Sequence, residues 1–186
     1  VLTTLANAKE FLKVPVSETT DDAILNRIIS AADTFVKTYC GRLLEATALT
    51  ELHSTIHGQV VLMLDEYPVN SITSLHDDPL RSYGADTLIA ATDYIVDKAE
   101  GIIRLDGIYF YEGLQNVQVV YNAGYVTVPA DLEQATLELV AQKYHSYDKI
   151  RQGIESRSFN GESVSFFMGE MLKETKAVLD RYRKIR

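Results

Sequence analysis

Apolar residues follow two kinds of spacing in this chain, and the switch between them divides it. In TTLANAKEFLKV, Leu5, Ala8, Phe11 and Leu12 share one helical face, Thr3 or Thr4 stands where an N-cap belongs, and Pro15 limits continuation. A longer helix is expected after SETTDD: Thr20 can cap it, Asp21 and Asp22 suit its positive end, and Gly41 can stop it. Its apolar stripe reads Ile24, Leu25, Ile28, Ala32, Phe35, Val36 and Tyr39. From about residue 48 to residue 128 the pattern turns to short runs rich in Val, Ile, Tyr and Thr: VVLMLDEYPV, SITSLHD, TDYIVD, GIIRLDG and NVQVVYNAGYVTV. Within them YIVDKAEGIIRL reads as a hairpin closed by a loop containing Gly101, and NAG at 122 to 124 as a tight turn or bulge.

Helical spacing returns at Pro129, which suits the first turn of a helix, with Asp131 and Glu133 at its positive end. Leu132, Ala135, Leu139, Val140 and residues 143 to 147 continue it. GIESRSFNGESVSFFMG then reads as a Gly/Ser-rich loop holding three phenylalanines, and EMLKETKAVLDRYRKIR as a last helix with a loose stripe of Met171, Leu172, Val178, Leu179, Tyr182 and Ile185. The expected fold class is α+β: a helical core made of the two N-terminal helices and the 130–147 helix, an inserted β-rich segment, and a C-terminal helix. In domain terms this is a body over 1–147 with its β insertion at about 48–128, a flexible Gly/Ser/Phe loop over 148–169, and a docking helix over 170–186.

At 186 residues, with 46% hydrophobic and 24% charged, the chain fits one globular domain carrying an insertion. No apolar run approaches the length of a membrane span and the first residues lack a secretory signal, so a soluble protein made in the cytosol is expected. Cys40 is the single cysteine, which excludes an internal disulfide and a multi-cysteine zinc site. The net charge of −8 argues against a general duplex-DNA binder. Residues 170–186 hold six Lys/Arg against three Asp/Glu, leaving twelve against twenty-three, or −11, for residues 1–169. An acidic body with a basic tail suggests a docking segment.

Catalytic signatures are missing from the sequence. There is no GxxxxGK[ST], GxGxxG or GxSxG, and Cys40, at the end of an amphipathic helix with no neighbouring His, reads as a buried structural thiol. His53 and His57 could grip a metal if helical, but their surroundings favour extended chain, where they would lie ~13 Å apart. His76 with Asp77 and Asp78 reads as a surface turn, His145 as part of a solvated or intermolecular helix face, and Asp21/Asp22 as helix-start electrostatics. The eleven tyrosines lack the interleaved Lys/Arg of a nucleic-acid platform. Two features remain: Phe159, Phe166 and Phe167, which either cap the core or form a partner-contacting hook, and the basic ending RYRKIR.

The whole pattern resembles the head-tail connector, or adaptor, family of tailed bacteriophages. The resemblance runs from LTTLANAKEFLKVP and TTDDAILNRIISAADTFVKTYCGR through YPVNSITSL, DYIVDKAEGIIRL and VVYNAGYVTVPADLEQATLELVAQKY to SFNGESVSF, nearly the full chain. Its most specific part is VxYxAGYxxVPxDLxxA, here Val119 to Ala135; the long β insertion departs from the family's smallest, mostly helical members. The resemblance implies a non-enzymatic virion component without cofactor or metal. It implies a ring of about a dozen copies around the DNA channel, with the portal above and a stopper, head-completion or tail-completion protein below. Portal docking is expected of the tail, with Leu179 and Tyr182 as anchors and Arg181, Arg183, Lys184 and Arg186 as electrostatic guides. The competing expectations are a monomeric binding module using the Phe loop, and a hydrolase using His and Asp groups.

Overall fold

The computed structural model describes residues 1–148, 156–159, 162–165 and 171–184. The fold is mixed α+β, as its sequence pattern implies. The chain divides into two compact units, a helical one from residues 1–42 and 128–186 and a β unit from residues 43–127.

Among the described residues, four helices build the first unit. Helix α1 (Leu5–Leu12) is capped by Thr4, whose hydroxyl accepts the Asn7 N–H at 3.2 Å, and it ends where Lys13 turns left-handed. Helix α2 (Asp22–Cys40) ends at Gly41 in the left-handed conformation that glycine adopts without penalty. Its start differs from expectation: Asp21, not Thr20, occupies the cap position, and it makes no capping bond. The Asp21 carboxylate instead accepts the Tyr144 hydroxyl at 2.7 Å. The buried stripe of α2 is Leu25, Ile29, Ala32, Val36 and Cys40, while Ile24, Ile28 and Tyr39 lie at its margin and Phe35 is exposed.

Helix α3 (Ala130–Asp148) is the axis of this unit and packs against α1, α2 and α4 (Lys173–Tyr182). Contact on several sides explains why Leu132, Ala135, Leu137, Leu139, Val140 and Tyr144 are all buried rather than confined to one narrow stripe. Pro129 precedes the helix, and its carbonyl accepts the Leu132 and Glu133 N–H groups at 3.0 Å each. Buried Lys9 joins α1 to the start of α2, donating to Glu18 O at 2.6 Å and pairing with Asp22 at 2.5 Å. Within the stretch 148–169, expected as a loop, Ser156–Phe159 (β7) pairs antiparallel with Glu162–Ser165 (β8).

The β unit has two three-stranded antiparallel sheets. In one, β6 (Gly113–Ala123) lies between β1 (Thr47–Thr55) and β3 (Val69–Asp77); in the other, β5 (Ile102–Leu105) lies between β2 (Val61–Met63) and β4 (Tyr94–Asp97). Strict alternation in β6 sends Val117, Val119, Tyr121 and Ala123 inward, where they share one core with Leu62, Leu64, Leu75, Ile103, Leu105 and Phe110. The β4–β5 hairpin is as expected. The run NVQVVYNAGYVTV is shorter as a strand than its composition suggests, because β6 stops at Ala123 and Gly124 takes φ +102°. A Cβ on Gly124 would stand 2.2 Å from the Glu45 carbonyl oxygen, so the turn read at NAG requires glycine.

Candidate docking surface

The C-terminal helix is held to the helical unit from its first turn to its last. Leu179 is fully buried and Thr175 nearly so, the latter donating to Glu138 at 2.7 Å. Tyr39 donates to Asp180 Oδ1 at 2.6 Å, a bond that raises the phenol's pKa. Beyond the helix the Lys184 N–H donates to the Cys40 carbonyl at 2.8 Å, which gives the end of α2 a backbone partner. Cys40 itself is buried, its thiol 3.7 Å from the Leu179 carbonyl, and burial pushes its pKa up to about 11, the opposite of an activated nucleophile.

This geometry revises the expected docking residues. Leu179 faces its own chain, because an apolar residue in the middle of a short amphipathic helix is what joins that helix to the body. Tyr182 is half-buried, its hydroxyl donating to Asp131 Oδ1 at 2.5 Å. Arg181 stays exposed, with Asp131 3.9 Å away, and Arg183 lies over the Tyr39 ring, 5.9 Å from its centroid. Lys184 is half-buried. Phe159 ends β7, while Phe166, Phe167 and Arg186 lie outside the described residues.

The histidines do not converge. His53 in β1 bonds Glu51 at 3.0 Å, His57 packs edge-on to Tyr109, His76 in β3 meets Gly84 O at 3.2 Å and Thr87 at 3.3 Å, and His145 is exposed on α3. No group of three His, Cys, Asp or Glu among the described residues could hold a metal ion. No described helix is long and apolar enough to cross a membrane.

Charge is divided by unit. The β unit, residues 43–127, carries twelve Asp/Glu against three Lys/Arg, or −9, whereas the helical unit carries fourteen against fifteen, or +1. The acidity read along most of the chain is therefore a property of the β unit. Its exposed loops combine that charge with aliphatic and aromatic side chains: Leu88, Ile108, Tyr109 and Tyr111 line an open cavity of about 390 Å³ with Asp77 and Asp86 on its wall. On the helical unit a groove of about 490 Å³ runs between α2 and α3, floored by Ile24, Ile28, Ala31 and Tyr147 and edged by Arg27 and Lys143. Neither surface stood out from the sequence, since each gathers residues from separate segments.

A family model described as head completion protein matches residues 1–185. Solved structures share the fold from end to end. A chain in a structure titled "Neck of empty GTA particle computed with C6 symmetry" has a TM-score of 0.64 at 20% identity, covering 100% of this chain and 91% of that one. A chain of the "Virion of native gene transfer agent (GTA) particle" gives 0.64 at 19%, with coverage of 100% and 91%. A third, from the "Neck of native GTA particle computed with C12 symmetry", gives 0.59 at 22%, with coverage of 99% and 94%. No curated protein matches. The chain belongs to the head completion protein family, whose members are structural proteins of the virion rather than enzymes.

Proposed function

We propose that this chain is one subunit of a ring in the neck of a tailed particle, set between the portal and a stopper or tail-completion protein, with DNA passing through the lumen. The observation that carries this reading is the family match over residues 1–185. Its support is a fold shared over the whole chain with neck structures determined with sixfold and twelvefold symmetry. About twelve copies fit the closed cyclic symmetry that such rings adopt.

The physics agrees with a passive channel part. An acidic protein repels phosphate, so DNA slides past it without the counterion-releasing contacts that would hold it. Binding energy goes instead to protein interfaces, and obligate assemblies bury more than ~2,000 Å² each. The cations near the chain's end, Arg181, Arg183, Lys184 and Arg186, are the guides toward the portal in this reading. Leu179 drops out as an anchor because it is already buried.

The test is electron microscopy, with rotational-symmetry analysis, of the assemblies that co-purify with a tagged copy from cells making particles. A many-copy ring stacked on a larger ring is expected. A lone monomer, or a one-to-one complex with a small protein, overturns the reading and favours a binding module.

A further inference from the structure

Two surface patches on this chain have the same construction and opposite charge. On the helical unit, Ile24, Ile28, Ala31 and Tyr147 floor the α2–α3 groove, and Arg27 and Lys143 edge it. Both cations are exposed, and neither makes a hydrogen bond or an ion pair among the described residues. No Asp or Glu stands three or four positions from either cation along its helix, the spacing at which a helical ion pair forms, so both are available to a partner. On the β unit, Leu88, Ile108, Tyr109 and Tyr111 are exposed together, Tyr109 by 57% and Tyr111 by 62%. Asp86 lines the same cavity, while Glu112, next in sequence to Tyr111, lines a separate groove with Thr55, Ile56 and Leu114; both carboxylates are exposed and make no hydrogen bond or ion pair among the described residues.

Exposed tyrosines beside apolar side chains mark interface cores, where ring area comes at low entropic cost and the hydroxyl keeps a polar partner. Rim charges of opposite sign set register and orientation rather than most of the affinity. Each patch therefore holds half of an interface, and the two halves are complementary in sign. A protein that carries both on one chain can bind its own copies head to tail, the contact type that generates rings when the rotation closes.

We infer that neighbouring copies meet through these two patches, the α2–α3 groove of one receiving the Tyr109/Tyr111 surface of the next, with Arg27 and Lys143 facing Asp86 and Glu112. The inference rests on the ring reading and adds which surfaces form its seam. It makes the contact heterologous, so no twofold dimer is expected. It also gives the β unit an assembly role that its excess of acid by itself does not define.

The seam is tested by charge exchange in full-length chains made in particle-assembling cells, reading the fraction of the tagged chain that is in many-copy rings. Arg27→Glu with Lys143→Glu should lower that fraction about tenfold, and so should Asp86→Lys with Glu112→Lys. All four substitutions in one chain should restore it, because every copy then carries the exchanged pair. Circular dichroism checks that each variant folds, as substitutions at exposed, unbonded positions should. A second measurement covers a variant that does not fold: Ala31→Cys with Tyr109→Cys should give a ladder of oxidised multimers, with buried Cys40 taking no part. A ring fraction unchanged by either reversal, a folded four-site chain that stays monomeric, or no ladder overturns the seam. If the unaltered chain forms no ring, the ring reading fails and the seam with it; an unaltered ring with indifferent reversals removes the seam alone.

Discussion

Tyr39 and Asp180 are joined side chain to side chain at 2.6 Å, across 141 residues of sequence, and next to that bond Leu179 is fully buried with its carbonyl 3.7 Å from the Cys40 thiol of α2. The last described helix is thus a structural member of the helical unit, and its basic edge is displayed from a fixed base.

Leu179→Ala should therefore destabilise the helical unit by about 2–5 kcal/mol, the range for a fully buried leucine truncated to alanine. Thermal or urea unfolding measures the loss. Cys40 supplies a second readout: its thiol lies under Leu179 and burial holds its pKa near 11, so a thiol reagent at pH 8 should react slowly with the native chain and faster with the variant. By contrast, Arg181→Glu with Arg183→Glu should change stability by less than about 1 kcal/mol, since both are exposed. Equal losses from the two kinds of substitution would contradict this division of labour.

Asn116 is the polar centre of the β unit. Its side-chain amide nitrogen shares two N–H groups among three acceptors, Thr55 Oγ1 and Asp77 Oδ1, each at 2.8 Å, and Tyr111 O at 2.9 Å, while its Oδ1 accepts the Thr55 N–H at 3.3 Å. The residue is fully buried, so Asn116→Leu strands several polar partners at once. A loss of about 2–4 kcal/mol is expected in chemical denaturation. A variant as stable as the parent would mean that these bonds contribute nothing net.

Gly124→Ala and Gly58→Ala separate two costs. Both glycines have positive φ, but a Cβ at Gly58 meets nothing within 4 Å, whereas at Gly124 it meets the Glu45 backbone at 2.2 Å. Gly58→Ala should cost about 1 kcal/mol for its left-handed conformation, and Gly124→Ala clearly more, because backbone must move. Equal shifts in melting temperature would remove the steric part of the argument.

Much of this fold was legible in the sequence, and the misses have physical causes. Thr4, Gly41, Pro129 and the β4–β5 hairpin announce themselves through local chemistry, which acts within a few residues. The buried face of α2 was harder: Ile24, Ile28, Phe35 and Tyr39 form a second apolar stripe beside Leu25, Ile29, Ala32, Val36 and Cys40, and periodicity does not say which one the core takes. Strand β1 has little apolar alternation, so its nine residues escape a hydrophobic pattern. Leu179 shows the same limit, since apolarity predicts that a residue will be covered but not by which chain. The groove edged by Arg27 and Lys143 joins residues more than a hundred positions apart, which no local spacing reveals.

Asp78 gives the acid limb of stability a single residue to test. Burial alone would raise its pKa, but the N–H groups of Leu80, Tyr83 and Ser82 at 2.7–2.8 Å and the Ser82 hydroxyl at 2.9 Å hold it at about 2, against an ordinary 3.8. The folded value lies below the unfolded one, so the carboxylate's contribution is fully present above the ordinary value and is lost as the pH falls from there through about 2. Asp78→Asn keeps the shape but removes the charge that these donors converge on. The variant should be less stable than the parent at pH 7, and the gap should narrow between pH 4 and pH 2 as the parent's carboxyl takes up its proton. Urea unfolding across that window measures both curves, and a gap that stays constant with pH would show that the loop is held by shape rather than by the ionised group.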